Sequence, residues 1–550
     1  MAAGGSRLGP WRRRWQGGDR PPTYRTGTWL FLRTLGLVHL VAFASLWTQV
    51  EGLLGPQGVL PAGRFLQAAR AQLGGVAYWE VPTLCWLGGT DGFLHVLCGA
   101  GIGLALLLLA NLAPGPCLAG LWVCYLSLVS VGQDFLGFQW DALLLETTLL
   151  ALFVVPWRLR PPLAASAPPT AARWLLWWLL ARLMFLSGVV KLTSGDATWR
   201  GLTALQFHFE TQPLPTWPGW YAHQLPGCAL QAAGAVMFAV ELGGPFLLFG
   251  PRHVRHTAAL GFTGLMSLIA LTGNYTYFNL LTVALCLPCL DDHWWAWLVP
   301  PLRARLAVTP GEVGRVDPNA PFVAADSSIR PIGPIPSDLA DDVVGRVVPN
   351  APALSTIPRG FGPRWLVIPV LVLVVVFTAG QALPSLAPRA AWPEALFRAR
   401  AAVAPLRSLN NYGLFMVMTT ERWEIVIEGS DDGVEWRPYE FRWKPGDLGR
   451  APGFVEPFQP RLDWQMWFAA LGPPQQSPWF YSLLERLLRG TPAVTALLAH
   501  NPFPDRPPRA VRAVRYPYHF TDPATRAATG QWWRRGPPEI YVPSVSLSAG

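Results

Sequence analysis

Residues 191–217 read KLTSGDATWRGLTALQFHFETQPLPTW and gather ionisable groups at the end of an apolar run. Lys191, one of two lysines in the chain, closes the Trp- and Leu-rich stretch from Trp174 to Val190. Asp196, Arg200, His208 and Glu210 follow, and then a Pro-x-Pro turn at 213–215. Upstream, Asp141 and Glu146 lie within QWDALLLETTLLALFVVPW. An ionisable residue inside a membrane segment is costly and points to a role. Asp141 stands near the outer end of its segment and can reach the interface. Glu146 lies deeper, and Lys191 is its natural ion-pair partner. Asp141, Glu146, Lys191, Asp196, His208 and Glu210 thus form a candidate functional polar cluster. Its chemistry could be structural ion pairing, ion relay, or catalysis by a lysine base. His208 and Glu210 would share a face in a strand and point apart on a helix. As metal ligands they lack a third partner.

The rest of the chain adds no catalytic signature. There is no Gly-x-Ser-x-Gly, His-Glu-x-x-His, Gly-x-x-x-x-Gly-Lys-Ser/Thr or paired Cys-x-x-Cys motif. Cys286-Leu-Pro-Cys289 ends an apolar run and reads as two small apolar residues in a helix. Gly99, Gly101 and Gly103 lie within a span and suit helix packing rather than a dinucleotide loop. No catalytic residue, metal or cofactor is assigned.

The elements that must position the cluster are membrane helices. The 550 residues are 51% hydrophobic and 14% charged, with 28 Trp. Soluble domains carry about 25% charged residues. The net charge of +10 comes from arginines beside apolar runs, as topology requires; no nucleic-acid-binding motif accompanies them. Nine segments are apolar enough to span or nearly span: 29–49, 92–113, 117–133, 139–157, 173–192, 228–250, 255–272, 275–290 and 364–384. Two are short, so eight or nine spans are expected. The first carries Arg33 and does not read as a cleaved signal. Arg7, Arg12, Arg13, Arg14, Arg20 and Arg25 before it place the N-terminus on the cytoplasmic side. An odd number of spans then puts the C-terminal part outside.

The organisation follows: a basic cytoplasmic N-terminus (1–28), a multi-pass transmembrane domain (29–290), a Pro-rich cytoplasmic linker (291–363), a last transmembrane helix (364–384) and an extramembrane mixed α/β, β-rich domain (385–550). The linker contains a near-repeat, GRVDPNAP at 314–321 and GRVVPNAP at 345–352. In the last domain, RWEIVIEGSDDGVEWRPYEFRW (422–443) predicts a hairpin turning at Ser430–Gly433. Ser477-Pro478 predicts an N-cap with proline at N1 and a helix stopped by Gly490; Thr491-Pro492 starts another, running to about His500. The domain has no cysteine and must fold on core packing alone. Of its tryptophans, Trp436, Trp464, Trp467, Trp532 and Trp533 are candidate contacts for an apolar client surface.

Longer motifs now acquire meaning. WDALLLET (140–147), SGVVKLTSGDATWRGLTALQFHFETQPLP (187–215), NNYGLFMVMTTERWEIVIEGS (410–430), YEFRWKPGD (439–447), RLDWQMWFAALG (461–472), LLAHNPF (497–503) and GQWWRR (530–535) occur in one order. In these the chain resembles the lipase maturation factor family. The resemblance implies a multi-pass protein of the endoplasmic reticulum membrane whose lumenal domain helps homodimeric lipases fold, assemble and leave in active form. Its partners would be a secreted lipase-like client and the bilayer. In a bacterium the compartment would be the cell membrane, with the C-terminal domain outside. Asn274-Tyr-Thr276 fits an N-glycosylation sequon. A fainter similarity links Lys191 and the Gly and Trp after it to the transmembrane domain shared with vitamin K-dependent carboxylases. There a lysine works as a base, which implies a membrane enzyme using Lys191 as the alternative.

Overall fold

The computed structural model describes residues 22–88, 91–162, 167–299, 369, 372–381 and 393–547. Six helices are long and apolar enough to cross a membrane: α1 (Arg25–Trp47), α2 (Asp91–Leu109), α3 (Pro114–Val131), α5 (Thr170–Thr193), α8 (Gly227–Leu247) and α9 (Arg252–Thr272). By this measure the described residues supply six candidate spans, beside the shorter apolar helices Phe278–Cys289 and Val372–Gln381, where the sequence suggested eight or nine spans. The segment expected at 139–157 is helical only as α4 (Gln139–Ala151), because Pro156 cannot continue a helix and restrains Val155 before it. The one at 275–290 is α10 (Phe278–Cys286), which tightens into a 3₁₀ turn around Pro288. Of 364–384, the helix Val372–Gln381 is described. Cys286 and Cys289 are buried and unbridged, and their thiols meet backbone carbonyls.

In α8, residues Ala239–Gly243 form a π turn. Pro245 lacks the N–H that the Glu241 carbonyl would receive four residues earlier, and the wider turn absorbs this mismatch. The first residues assigned to the linker are helical. Asp292–Leu298 is a helix capped by the Asp291 side chain, and Asp292 holds the start of α1 through Thr23 Oγ1 (2.6 Å) and the Thr26 N–H (2.8 Å). The near-repeats lie outside the described residues.

The C-terminal part is built on an antiparallel sheet whose centre is β3 (Ala510–Phe520). Along one side runs β1 (Arg422–Ser430); along the other lie β4 (Trp533–Arg535) and β5 (Glu539–Ser546). The expected hairpin exists, but β2 is only Arg437–Pro438, and the main partner of β1 comes from far along the chain. Ile425 and Ile427 face the core as alternation predicts, whereas Glu424, next to Ile425 in sequence and of the opposite parity, is also buried. It is matched by Arg422 (2.5 Å) and Lys444 (2.8 Å).

Two helices join this sheet: α11 (Arg461–Ala470) and α12 (Pro478–Leu488). The Ser477 side chain makes no cap bond in α12; its carbonyl receives the Phe480 N–H instead. The Phe480, Leu483, Leu484, Leu487 and Leu488 face is buried, and Gly490 ends the turn at φ +60°. The next helix stops at Thr495 rather than near His500. The backbones of Ala499 and His500 are taken by Glu440, which ends helical pairing there.

The two parts share one continuous core, and α11 enters the helical bundle. The approach is close at Gly52, where a Cβ would lie 2.3 Å from the Ala493 carbonyl oxygen.

Candidate functional site

Asp141, in the first turn of α4, is fully buried. Its carboxylate accepts Tyr125 Oη (2.5 Å), Tyr277 Oη (2.8 Å) and Arg461 Nη2 (3.0 Å) on Oδ1, and Arg461 Nη1 (3.3 Å) on Oδ2. Arg461 also donates to the Phe135 carbonyl at 2.6 Å, and its own N–H is held by Gln49 Oε1 at 2.9 Å. α3, α4 and α10 and the exit of α1 thus converge on the first residue of α11. Asp141 does not reach the interface; it anchors the C-terminal part.

Glu146 does not pair with Lys191. It binds Arg182 of α5, the Asn410 N–H (3.1 Å) and Tyr412 Oη (2.7 Å), while Arg182 also donates to the Asn410 carbonyl. Arg182 and Lys191 are nine residues apart on one helix, about 2.5 turns, so they project from opposite faces. Lys191 instead binds both oxygens of Glu241, in the π turn, at 2.8 and 2.7 Å. Both members of this pair are buried.

The stretch after Lys191 is a docking surface. Asp196 caps the short helix Ala197–Arg200 and receives the Met418 N–H at 2.8 Å. Burial alone raises the acid's affinity for protons, but these bonds and that of Thr198 outweigh it and hold the carboxyl below its ordinary value. Trp199 Nε1 donates to the Phe415 carbonyl at 2.9 Å. Arg422, with no exposed side-chain surface, donates to the carbonyls of Glu210 (2.9 Å), Gln212 and Pro213 (3.0 Å), gripping the chain at the entry to the Pro-x-Pro turn.

His208 and Glu210 lie on α6 (Leu205–Thr211), so they point apart. His208 faces Tyr275 Oη (3.4 Å) and Phe415, and burial lowers its imidazole to about 4. Glu210 receives His519 Nδ1 (2.9 Å) and the Phe520 N–H (2.7 Å) from β3. His223, on α7 (Trp217–His223), stands 3.8 Å away. The six residues therefore belong to several separate contacts, not one cluster. Among the described residues no group of three His, Cys, Asp or Glu side chains is arranged for a metal.

The candidate client contacts also divide. Trp464 and Trp533 are 3% and 1% exposed, so neither can meet a client in this conformation. Trp464 packs edge-on against Trp140 at 4.7 Å, and Trp533 lies against Phe520 at 4.5 Å. Trp467, Trp532 and Trp436 are half-buried. Trp467 donates to the Thr211 carbonyl; Trp532 lies under Arg526 and Trp436 under Arg512. Asn274, of the glycosylation motif, is 2% exposed. Its Nδ2 donates to the carbonyls of Leu214 and Gly453, and its Oδ1 accepts the Val455 N–H, so the folded chain does not present it for modification.

Glu456 completes the seam. Burial pushes its carboxyl up to about 8, against hydrogen bonds from the Tyr275 N–H and the Asn279 amide. Between these contacts, at the end of the bundle where α5 and α9 finish and α4 and α10 begin, lies an apolar cavity of about 850 Å³. Lys191 and Glu241 form part of its wall.

Sequence reading missed Arg182, Glu241, Asn410, Tyr412 and Arg461. Arg182 and Glu241 were visible as charges inside apolar runs; which partner each would meet was not.

Fold and seam together define a polytopic membrane protein whose β-containing C-terminal part is locked into its helical bundle through buried polar contacts. Residues 26–297 match the lipase maturation factor transmembrane domain and residues 408–543 the lipase maturation factor C-terminal domain. The chain is 39% identical over 607 residues to lipase maturation factor 2 of Homo sapiens, covering 94% of this chain and 82% of that protein. It is 40% identical to lipase maturation factor 2 of Mus musculus, over 94% and 83% of the two chains. To lipase maturation factor 1 of Bos taurus it is 33% identical, over 96% and 91%. The chain belongs to the lipase maturation factor family. No solved structure matches it.

Proposed function

We propose that this chain is a non-enzymatic, membrane-anchored maturation factor that assists folding, dimer assembly and export of active secreted lipases. The observation that carries the reading is its similarity, along 94% of its length, to proteins named as such factors. The residues support it too. Each member of the polar cluster is bound to other parts of the same chain, as in a scaffold. The membrane-enzyme alternative has little support: a lysine base needs a free lone pair, and Lys191 Nζ is engaged by both oxygens of Glu241.

The proposed setting is the endoplasmic reticulum membrane with the C-terminal domain in the lumen. This orientation is favoured by the arginines before α1 and by the path of α1. That helix leads from Arg25 to Gln49, where it meets Arg461. Trp436, Trp467 and Trp532 are the client contacts consistent with their half-exposure.

The test is rescue. The chain is expressed in cells lacking their own maturation factor, with a secreted homodimeric lipase, and secreted activity is measured per unit of lipase protein. Restored specific activity is the expected result, weakened by Trp436→Ala without loss of abundance. No rescue by a well-expressed, correctly oriented chain would refute the lipase assignment.

A further inference from the structure

The seam cavity is a feature of the molecule that the anchoring contacts do not fill. Its volume of about 850 Å³ falls in the roughly 300–1,000 Å³ range of small-molecule sites. Both halves of the chain build it: Met184 of α5, Met266 and Ile269 of α9, Trp140 of α4, and Trp464 and Phe468 of α11. Thioethers and aromatic rings give an apolar lining that adapts to a flexible chain.

Position narrows the occupant. Met266 and Ile269 line the cavity, whereas Leu268 and Leu271, on the same stretch of α9, are 62% and 52% exposed elsewhere and do not line it. One helix therefore separates the cavity from the surface that lipid tails wet. The π turn bearing Glu241 lies in the same wall. Such turns inside α-helices are frequent at functional sites, and an ionisable residue within an apolar helix points the same way.

Charge narrows it further. The charged lining residues are Lys191, Glu241, Glu421 and Arg515. Lys191 is matched by Glu241, and Arg515 by Glu539 at 2.9 Å. Glu421, which is exposed, meets among the described residues a neutral donor, Trp423 Nε1 at 3.2 Å. Among the described residues the lining thus offers a carboxylate without a cationic partner and no spare cation, which disfavours an anionic head group and suits one carrying an ammonium.

We infer that the cavity binds an acyl chain of a zwitterionic membrane glycerolipid, which enters beside α9 and turns its ammonium end towards Glu421. This site does not depend on the lipase assignment. A lipid seated there would bridge the membrane helices and the C-terminal domain.

The experiment uses the full chain reconstituted in bilayer discs with a trace of phosphatidylcholine carrying a photoreactive acyl chain. Cross-links are mapped by peptide mass spectrometry. Labelling should fall on peptides holding Met184, Met266 or Phe468 and be competed by unlabelled phosphatidylcholine but not by phosphatidylglycerol. Filling the space with Met266→Trp or Ile269→Trp should cut it about tenfold, the equivalent of a tenfold affinity loss, at an unchanged unfolding temperature. Glu421→Gln should erase the preference over phosphatidylglycerol. Labelling confined to the outer face around Leu268 and Val236 would show boundary lipid only and overturn the site. Equal competition by the anionic lipid would overturn the head-group assignment. Should neither filled variant fold, competition in the unaltered chain decides by itself.

Discussion

Asp141 and Lys191 are buried charges at the same end of the bundle, yet their surroundings differ in kind. Around Asp141, two tyrosines and an arginine occupy both carboxylate oxygens, and the arginine is held in turn by Phe135 and Gln49. Lys191 meets a single carboxylate, and the pair forms part of a cavity wall. A network with every partner inside the protein specifies one arrangement and transmits any loss to the whole structure. A pair bordering open space tolerates change, because solvent or a ligand can reach what is left behind. The first contact therefore reads as a rivet between domains, the second as part of a site.

The sharpest way to break this contrast is Arg461→Met, which strands a buried carboxylate. It should cost about 3–5 kcal/mol, seen as a lower thermal midpoint in detergent. Adding Asp141→Asn should restore much of the loss; if the double variant is no better than the single one, the ion pair is not what holds α11. Next comes Glu146→Gln, expected to cost about 2–3 kcal/mol, since it removes the charge that Arg182, Tyr412 and Asn410 share. Protease sensitivity around 405–413 should rise with it.

The third prediction concerns pH. Glu456 sits near 8 in the folded chain and near its ordinary 4.5 when unfolded, so between these values only the folded state keeps the proton. Its contribution is complete below the unfolded value and is lost as pH rises towards about 8, at roughly 1.4 kcal/mol per unit for one linked proton. Unfolding temperatures measured across that interval should fall, and Glu456→Gln should flatten the slope. An unchanged slope in the variant would mean that other groups set it. The smallest effect is assigned to Lys191→Met, about 1–2 kcal/mol. A loss as large as that of Arg461→Met would erase the distinction between rivet and site.

Much of this molecule was legible in local chemistry. Apolar length located the six long helices, and Pro156 and Pro288 explain why two further segments fall short. Alternation from Trp423 to Ile427 pointed to a strand, and Gly490 to a helix end. Less was legible wherever one element answers to a distant one. Ser477 looked like a side-chain cap and is not; the helix after Thr491 is cut short by Glu440, some fifty residues before it.

The sequence by itself determined which residues carry costly charges: Asp141, Glu146, Arg182, Lys191 and Glu241 all stand in apolar runs, and burying them obliges each to find a counter-charge or donors. Helical phase limits the choice, since nine residues turn Arg182 and Lys191 to opposite faces. Only the tertiary structure decided the partners. Arg461 lies 320 positions from Asp141, and Asn410 lies 264 from Glu146. No local periodicity encodes a pairing over such separations. It arises when the bundle and the C-terminal domain close on each other and leave these groups no water to turn to.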